Sequence, residues 1–330
     1  MRHVRLGGTG LRVSQLCLGT MTFGLQCDEP TSVAILDRAA AGGITFLDTS
    51  DVYPIGGNLG TVGRTEEIIG RWLEGRRHDF IVATKCFGAM SARAWDQGLS
   101  RKHILDAIEG SLRRLGTDYV DLYQLHHPDP STPMDESLRA LDDIVRAGKA
   151  RYVGCSNYFA YQIARALGRS EHLGLARFEC VQPRYNLLFR QVERELFPLC
   201  AEEGLGVIPY NPIAGGLLSG KHRREAGPMP DTRFTHPTAG ARYRDRYWRE
   251  RELETVEALR PLATEAGMSM TQMAVAWVLE NPVVTAPIVG ASRPEQLDDA
   301  LAAVDNGLDE SLKARLDELT REYRWGDDIR

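Results

Sequence analysis

The chain has 330 residues, 43% hydrophobic and 26% charged, which excludes disorder, collagen and coiled coil as the main architecture. No apolar run approaches the roughly 20 residues of a membrane span, and Met1-Arg2-His3-Val4-Arg5-Leu6-Gly7 lacks the apolar stretch expected of a secretory signal. Lys and Arg total 40 against 45 Asp and Glu, a net charge of −5 with no basic stripe, so nucleic acid is not an expected partner.

At roughly 150 residues per domain the length suggests two domains, although α/β barrels of about 250 residues fold as one. No Pro/Ser-rich linker divides the chain, so one domain over residues 1–330 is expected. Leu6-Gly7-Gly8-Thr9-Gly10-Leu11 reads as a hairpin turn ahead of the first barrel strand. Eight short β-rich runs follow, at 15–18, 45–47, 80–83, 120–125, 151–155, 178–181, 206–209 and 286–289. Amphipathic stretches alternate with them. A helix over 31–41 stops at Gly42-Gly43. One over 65–73 opens on Thr65-Glu66-Glu67, with acids where the helix dipole favours them. Ser100 caps a helix over 101–115, whose Ile104, Ile108, Leu112 and Leu115 recur every three or four residues. Pro133 starts one that runs to Ala147. Stretches 161–167, 192–202, 272–279 and 294–303 supply the rest.

Alternating strands and helices argue for a parallel sheet. Eight such units in an undivided chain argue for a closed (β/α)₈ (TIM) barrel, with an N-terminal β-hairpin and long loops at the C-terminal face. An open doubly wound sheet would carry a glycine fingerprint after its first strand, and no GxGxxG is present. Six cysteines (17, 27, 86, 155, 180 and 200) form no CxxC or zinc spacing and read as buried residues of a reducing, cytoplasmic protein. The connections 86–99 and 221–248 are long, and such loops are often functional. The second carries Tyr243, Tyr247 and Trp248, either an aromatic lid or a helix packed on the barrel.

In a barrel, catalytic groups sit where strands end at the C-terminal face. The second run ends in Asp48, followed by Thr49-Ser50-Asp51-Val52-Tyr53; the third ends in Thr84-Lys85; the fourth ends in Gln124-Leu125-His126. Singly each is weak. Together, Asp, Tyr, Lys and His on one rim suit proton delivery to a carbonyl. A lysine ammonium stabilises a tyrosine phenolate, lowering its pKa from about 10. A carboxylate keeps the lysine charged, and a neutral histidine donor can hold the carbonyl oxygen. Asp48 is preferred to Asp51 because it directly ends the strand. His127 is expected to point away from His126, as strand neighbours do. A metal held by His126, His127 and Asp129 is not expected, and Cys86, without a base partner, reads as inert.

These residues resemble the aldo-keto reductases, (β/α)₈ barrels that bind a nicotinamide dinucleotide without a Rossmann fold. Phe46-Leu47-Asp48-Thr49-Ser50-Asp51-Val52-Tyr53, Ala83-Thr84-Lys85 and Leu122-Tyr123-Gln124-Leu125-His126 match the family's tetrad in order. The resemblance implies that Asp48, Tyr53, Lys85 and His126 are catalytic. Leu18-Gly19-Thr20-Met21-Thr22-Phe23-Gly24 is similar to the loop near the nicotinamide ribose, which implies roles for Gly19, Thr20 and Met21. Gly154-Cys155-Ser156-Asn157-Tyr158 and Val181-Gln182-Pro183-Arg184-Tyr185-Asn186 resemble the segments in which Ser156, Asn157 and Gln182 hold the carboxamide. The segment from Ile208-Pro209-Tyr210-Asn211-Pro212 to Gly220-Lys221 implies that Tyr210 stacks on the nicotinamide. By the same match, Asn211, Pro212, Ala214 and Gly215 lie along the cofactor and Lys221 meets the pyrophosphate. The stretch from Val289-Gly290-Ala291-Ser292-Arg293-Pro294 to Ala300 is similar to the adenosine-phosphate site. It implies that Gly290, ending the last strand, borders the cofactor, that Ser292, Arg293 and Gln296 face the 2′-phosphate, and that Asp299 reaches the adenine. Arg233 falls where relatives place another phosphate-contacting arginine. Asn211 stands where Ser is commoner, and Ala300 where an Asn often meets adenine.

The resemblance extends from Leu18 to Ala300 and is closest to the branch of potassium-channel β subunits, aflatoxin-aldehyde-type reductases and bacterial ketosugar reductases. It implies an NADPH/NADP+-dependent oxidoreductase that interconverts a small carbonyl compound and its alcohol. The alternative is a redox-sensing, nicotinamide-binding regulatory subunit with slow turnover. The substrate pocket is expected to hold Phe23, Tyr53, Phe87, Trp95, His126, His127 and Tyr158. The sequence carries no signal for the oligomeric state.

Overall fold

A computed structural model describes residues 1–326, so the last four positions of the expected 1–330 domain lie outside the described residues. β1 (His3–Arg5) and β2 (Arg12–Ser14) form the antiparallel hairpin that the early glycines suggested. Its turn lies against the chain at Gly204. A Cβ on Gly7, whose φ is 56°, would stand 2.4 Å from the Gly204 carbonyl oxygen, so glycine is required there.

Eight parallel strands follow. They are β3 (Cys17–Gly19), β4 (Phe46–Asp48), β5 (Ile81–Cys86), β6 (Val120–Leu125), β7 (Ala150–Ser156), β8 (Phe178–Gln182), β9 (Gly206–Val207) and β10 (Ile288–Val289). They pair in the order β10-β3-β4-β5-β6-β7-β8-β9. Parallel bridges Val207–Val284 and Tyr210–Ile288 join the two ends, and the Ile288 N–H donates to the Pro209 carbonyl at 2.8 Å. The sheet curls until its edge strands meet, the arrangement that leaves no open edge. β9 and β10 are shorter than their apolar runs because Pro209 and Pro287 lack the N–H a ladder needs.

Alternation along each strand sorts side chains into two cores. Cys17, Phe46, Ala83, Leu122 and Cys180 cluster with Leu6 and Val13 of the hairpin, which therefore plugs the N-terminal end of the ring. Their neighbours Leu18, Leu47, Val82, Tyr123 and Val181 join the larger core shared with the helices.

Helices α1 (Glu29–Ala41), α2 (Arg64–Leu73), α3 (Arg101–Leu115), α4 (Met134–Arg146), α5 (Ala160–Leu173) and α6 (Leu196–Glu203) come between the strands. Ser100 caps α3 by accepting from the His103 N–H, as its position suggested. α1 starts at Glu29, two residues ahead of the expected start, with Asp28 as its cap and Pro30 in the first turn. Pro133 stands just outside α4, as its N-cap. The expected helix over 192–202 divides into a 3₁₀ turn at Gln191–Glu193 and α6. The long 221–248 connection contains α7 (Gly240–Tyr247). α8 (Glu250–Glu265), α9 (Met270–Leu279), α10 (Asp298–Asp305) and α11 (Glu310–Leu319) complete the fold. Among the described residues no helix is long and apolar enough to cross a membrane.

α2 packs on α3 through Gly70. A Cβ there would meet the Arg114 carbonyl oxygen at 2.3 Å. Alanine in a helix interior is ordinarily favoured over glycine by about 1 kcal/mol, but backbone cannot swing aside as a side chain can, and overpacking costs about 1–3 kcal/mol. Gly70→Ala is expected to lower the urea midpoint of unfolding. A raised midpoint would show that α3 can move away.

Candidate active site

The C-terminal ends of the strands open into a cavity of about 700 Å³. Its chemistry starts from β4 and β5, whose register sets Asp48 beside Ala83, two residues before Lys85. Lys85 and Asp48 are 0% and 2% exposed. The Lys85 ammonium donates to Asp48 Oδ2 at 2.6 Å, to the Thr49 carbonyl at 2.8 Å and to the Tyr53 hydroxyl at 3.3 Å. Burial alone would lower the Lys85 pKa, but the charge of Asp48 and the Tyr53 oxygen outweigh it and hold the ammonium above its usual range. Asp48 Oδ1 accepts from Gln182 Nε2 at 2.8 Å and Gln124 Nε2 at 3.3 Å.

Tyr53 departs from the expected lowering. Burial pushes its hydroxyl above the ordinary value and overcomes the pull of Lys85, while Asp48 adds to the rise. The resting hydroxyl is therefore protonated. The His126 ring meets the Tyr53 ring edge-on, with centroids 5.9 Å apart. Its Nδ1 lies 3.2 Å from Ser50 Oγ, which leaves Nε2 for the cavity. Burial first, then the charges of Lys85 and His127, hold His126 well below the usual histidine pKa, so the ring is neutral.

His127 also reaches the cavity wall and stacks on His126 at 5.2 Å. Strand alternation fails here because β6 ends at Leu125. Asp129 faces a different task, accepting from the Leu99 N–H and from the Ser131 and Thr132 hydroxyls. Cys86 is buried, and burial raises its thiol far above the ordinary range.

Most of the expected cofactor residues share this wall. Gly19 ends β3 and Thr20 and Met21 follow it, Ser156 ends β7 with Asn157 next, and Gln182 ends β8. Tyr210, Asn211 and Pro212 follow β9, while Gly290 and Gln296 border the far end with Arg233. Several groups already hold each other. Tyr210 donates to Asn157 Oδ1 at 2.8 Å, and Asn157 Nδ2 donates to the His126 carbonyl at 2.9 Å. Asn157 and Asn211 have φ of 63° and 59°, a left-handed conformation that Asn tolerates. The Gln182 amide is turned to Asp48, and Ser156 Oγ donates to the Gln182 backbone carbonyl at 2.7 Å.

Other expected residues stand off this wall. Phe23 is fully buried off the wall, where the Thr65 hydroxyl donates to its carbonyl. Tyr158 is buried edge-on to Phe178, and Trp95 is 56% exposed on a neighbouring surface cleft. Of the substrate-side residues, Tyr53, Phe87, His126 and His127 line the cavity. Ala214 and Gly215 lie beneath the wall, where Gly215 gives room to the Tyr243 ring. Lys221, Ser292 and Arg293 are exposed beside the far end rather than on the wall. Ser292 N–H donates to Gln296 Oε1 at 2.8 Å. Asp299 is also off the wall, which is formed there by Ala300.

A model described as the aldo/keto reductase family matches residues 15–321. The chain belongs to the aldo/keto reductase family. Its relatives include "Uncharacterized oxidoreductase YrpG" of Bacillus subtilis (strain 168), 40% identical over 97% of this chain and 96% of that protein. Another is a "Probable voltage-gated potassium channel subunit beta" of Oryza sativa subsp. japonica, 39% identical over 92% of each chain. A third is "Versiconal hemiacetal acetate reductase" of Aspergillus parasiticus, 33% identical over 92% of each chain. Membership and the oxidoreductase names among these relatives support oxidoreductase chemistry for this aldo/keto reductase.

Sequence reasoning missed the links behind the tetrad. Ser50 Oγ donates to Asp51 Oδ1 at 3.2 Å while touching His126. Asp51 is fully buried, and burial, then the charge of Glu66, raises its carboxyl well above the usual range. Gln124 was passed over as a strand residue. Arg242 and Arg246 lie in the 221–248 connection, where a helix packed on the barrel was one of two alternatives and its cavity-facing side was not assigned.

The neutral His126 has a pH signature. An unfolded histidine binds a proton near pH 6.5, whereas folded His126 does so only well below it. The unfolded state therefore holds more protons as pH falls below about 6.5, and stability drops. His126→Asn is expected to remove up to about 1.4 kcal/mol per pH unit of that acid-side slope. Urea melts between pH 7 and 5 would measure it; identical slopes would place the histidine in a solvated setting.

Proposed function

We propose that this chain is an NADPH-dependent reductase that interconverts a small aldehyde or ketone and its alcohol. The observation that carries the reading is the buried Asp48–Lys85–Tyr53 chain, with neutral His126 beside it at the closed end of the cavity.

The residues fit a nicotinamide dinucleotide. The cavity volume lies in the usual range for cofactor-sized ligands. At its far end Lys221, Arg233 and Arg293 gather. Burial lowers the Lys221 pKa first, and the charges of Arg293 and Arg233 lower it further. Three mutually repelling cations suit an anion such as a phosphate. Tyr210 presents an aromatic ring on the wall, and Ser156, Asn157 and Gln182 supply amide-binding groups next to it. When bound, the dinucleotide supplies the hydride to carbon.

The chain's own residues handle the oxygen. In the tautomer with its proton on Nε2, the neutral His126 ring donates to the carbonyl oxygen. Tyr53 gives its hydroxyl proton to that oxygen as negative charge develops there. The phenolate left behind faces the Lys85 ammonium, which stabilises it, and Asp48 keeps that ammonium in place. The alcohol oxidation runs the same proton path in reverse. We place this work in one barrel domain in the cytoplasm, where six free, buried thiols suit a reducing compartment.

A second reading draws on the relative named as a channel subunit beta. The same site would then sense cofactor redox state, with slow turnover and a protein client. Rapid multiple turnover favours the reductase; tight cofactor retention with a co-purifying partner favours the sensor.

Tyr53→Phe is expected to cut turnover of the best carbonyl substrate roughly 10²–10⁴-fold while leaving cofactor binding in place, read by NADPH oxidation and fluorescence titration. Full turnover in that variant would remove Tyr53 from the role of acid. Arg293→Ala is expected to weaken NADPH about tenfold with little effect on NADH. Equal shifts for both would refute recognition of the 2′-phosphate.

A further inference from the structure

Carbonyl reduction leaves one feature of the cavity unused. α7 contributes Arg242, Tyr243 and Arg246 to the wall. The helix is firmly seated. Tyr243 and Tyr247 are buried, Asn186 Nδ2 donates to the Tyr247 hydroxyl at 3.2 Å, and Arg244 donates to the Phe234 carbonyl. Gly215 makes the seat, since a Cβ there would stand 2.6 Å from the Tyr243 ring. Arg242 and Arg246 are four residues apart, so they share one face of the helix.

Neither guanidinium has an ion-pair or hydrogen-bond partner among the described residues. Helix arginines such as Arg38, Arg71, Arg169 and Arg315 are paired with acids, whereas Arg242 and Arg246 face the cavity. Nor does the cavity offer an acid. Asp48 is the wall's sole carboxylate among the described residues, and it is already engaged by Lys85. A further cation lies behind, because Arg184 sits over the Phe189 ring at 3.5 Å and feels the charge of Arg246.

We infer that Arg242 and Arg246 form an anion-accepting subsite for the substrate, which is a carbonyl compound carrying a carboxylate or phosphate group. The inference rests on the carbonyl-reductase reading and names its substrate class. The location favours substrate over cofactor. Arg242 and Arg246 act on His127, which stacks on His126 and packs against Phe87 at 5.5 Å. Of the cations assigned to the cofactor, Arg233 lies over the Tyr243 ring at 5.6 Å and, with Arg293, bears on Lys221. Guanidinium forks suit either oxyanion, and charge-assisted bonds of this kind are the strong ones.

The test compares kcat/KM for 4-formylbenzoate and 4-formylbenzamide, which differ in charge but hardly in shape. A second pair, 4-formylphenyl phosphate and 4-hydroxybenzaldehyde, reports the phosphate arm. The wild type is expected to prefer one or both anions by roughly tenfold or more, and sodium chloride should erode that preference. Arg242→Gln and Arg246→Gln should each reduce it, and the double variant should bring it near one. No preference in the wild type, or one that survives in the double variant, overturns the subsite. So does an equal weakening of NADPH binding, which would assign the arginines to the cofactor. If no aldehyde is reduced, the reductase reading fails, and the subsite is judged by calorimetry with benzoate and benzamide on the NADP+-loaded protein. Benzoate binding that is lost in the double variant supports the subsite; absent benzoate binding, or equal binding of benzamide, overturns it.

Discussion

A charged pair taken out of water, Lys85 on Asp48, is the constraint around which the site is built. Such a pair is costly unless every remaining hydrogen-bonding position is filled. Here the filling is complete on the lysine side. An ammonium has three protons, and Lys85 directs them to Asp48, the Thr49 carbonyl and Tyr53. The carboxylate's second oxygen is held by two glutamine amides from β6 and β8. Four strands therefore converge on one ion pair, and a shift in any of them would leave a buried charge short of a partner. The tyrosine oxygen is one of the three acceptors, so positioning the acid and stabilising the lysine are the same contact.

Only a curled sheet makes this possible. β4, β5, β6 and β8 are far apart in sequence, and their ends meet because the strands pair in chain order around a ring. Leu6 and Val13 fill the other end, which leaves the polar residues at the open rim. Glu66 supports the arrangement from outside. It accepts from Thr84 at 2.5 Å and from Arg114 at 2.7 Å, tying α2 and α3 to the strand that carries Lys85.

The strands were legible because a parallel strand buried on both faces reads as a short apolar run. Asp48, Lys85 and His126 stood out because each follows such a run abruptly. Helices α8 and α11 were not legible, since charge dominates them; α8 carries Pro261 inside, and α11 buries only Leu312 and Leu316. The differences at the site have a common origin. Phe23, Trp95 and Tyr158 lie just beyond strand ends or in loops, where no periodicity says which way a side chain turns. His127 misled for the same reason, since alternation ends with the strand. Arg242 and Arg246 gain meaning only once α7 is seated over the rim.

The hairpin has a consequence for traffic. With Leu6 and Val13 packed into the floor, the cavity is a cul-de-sac with one mouth. A glycine turn at the opposite end of the ring therefore directs all traffic at the site to the rim.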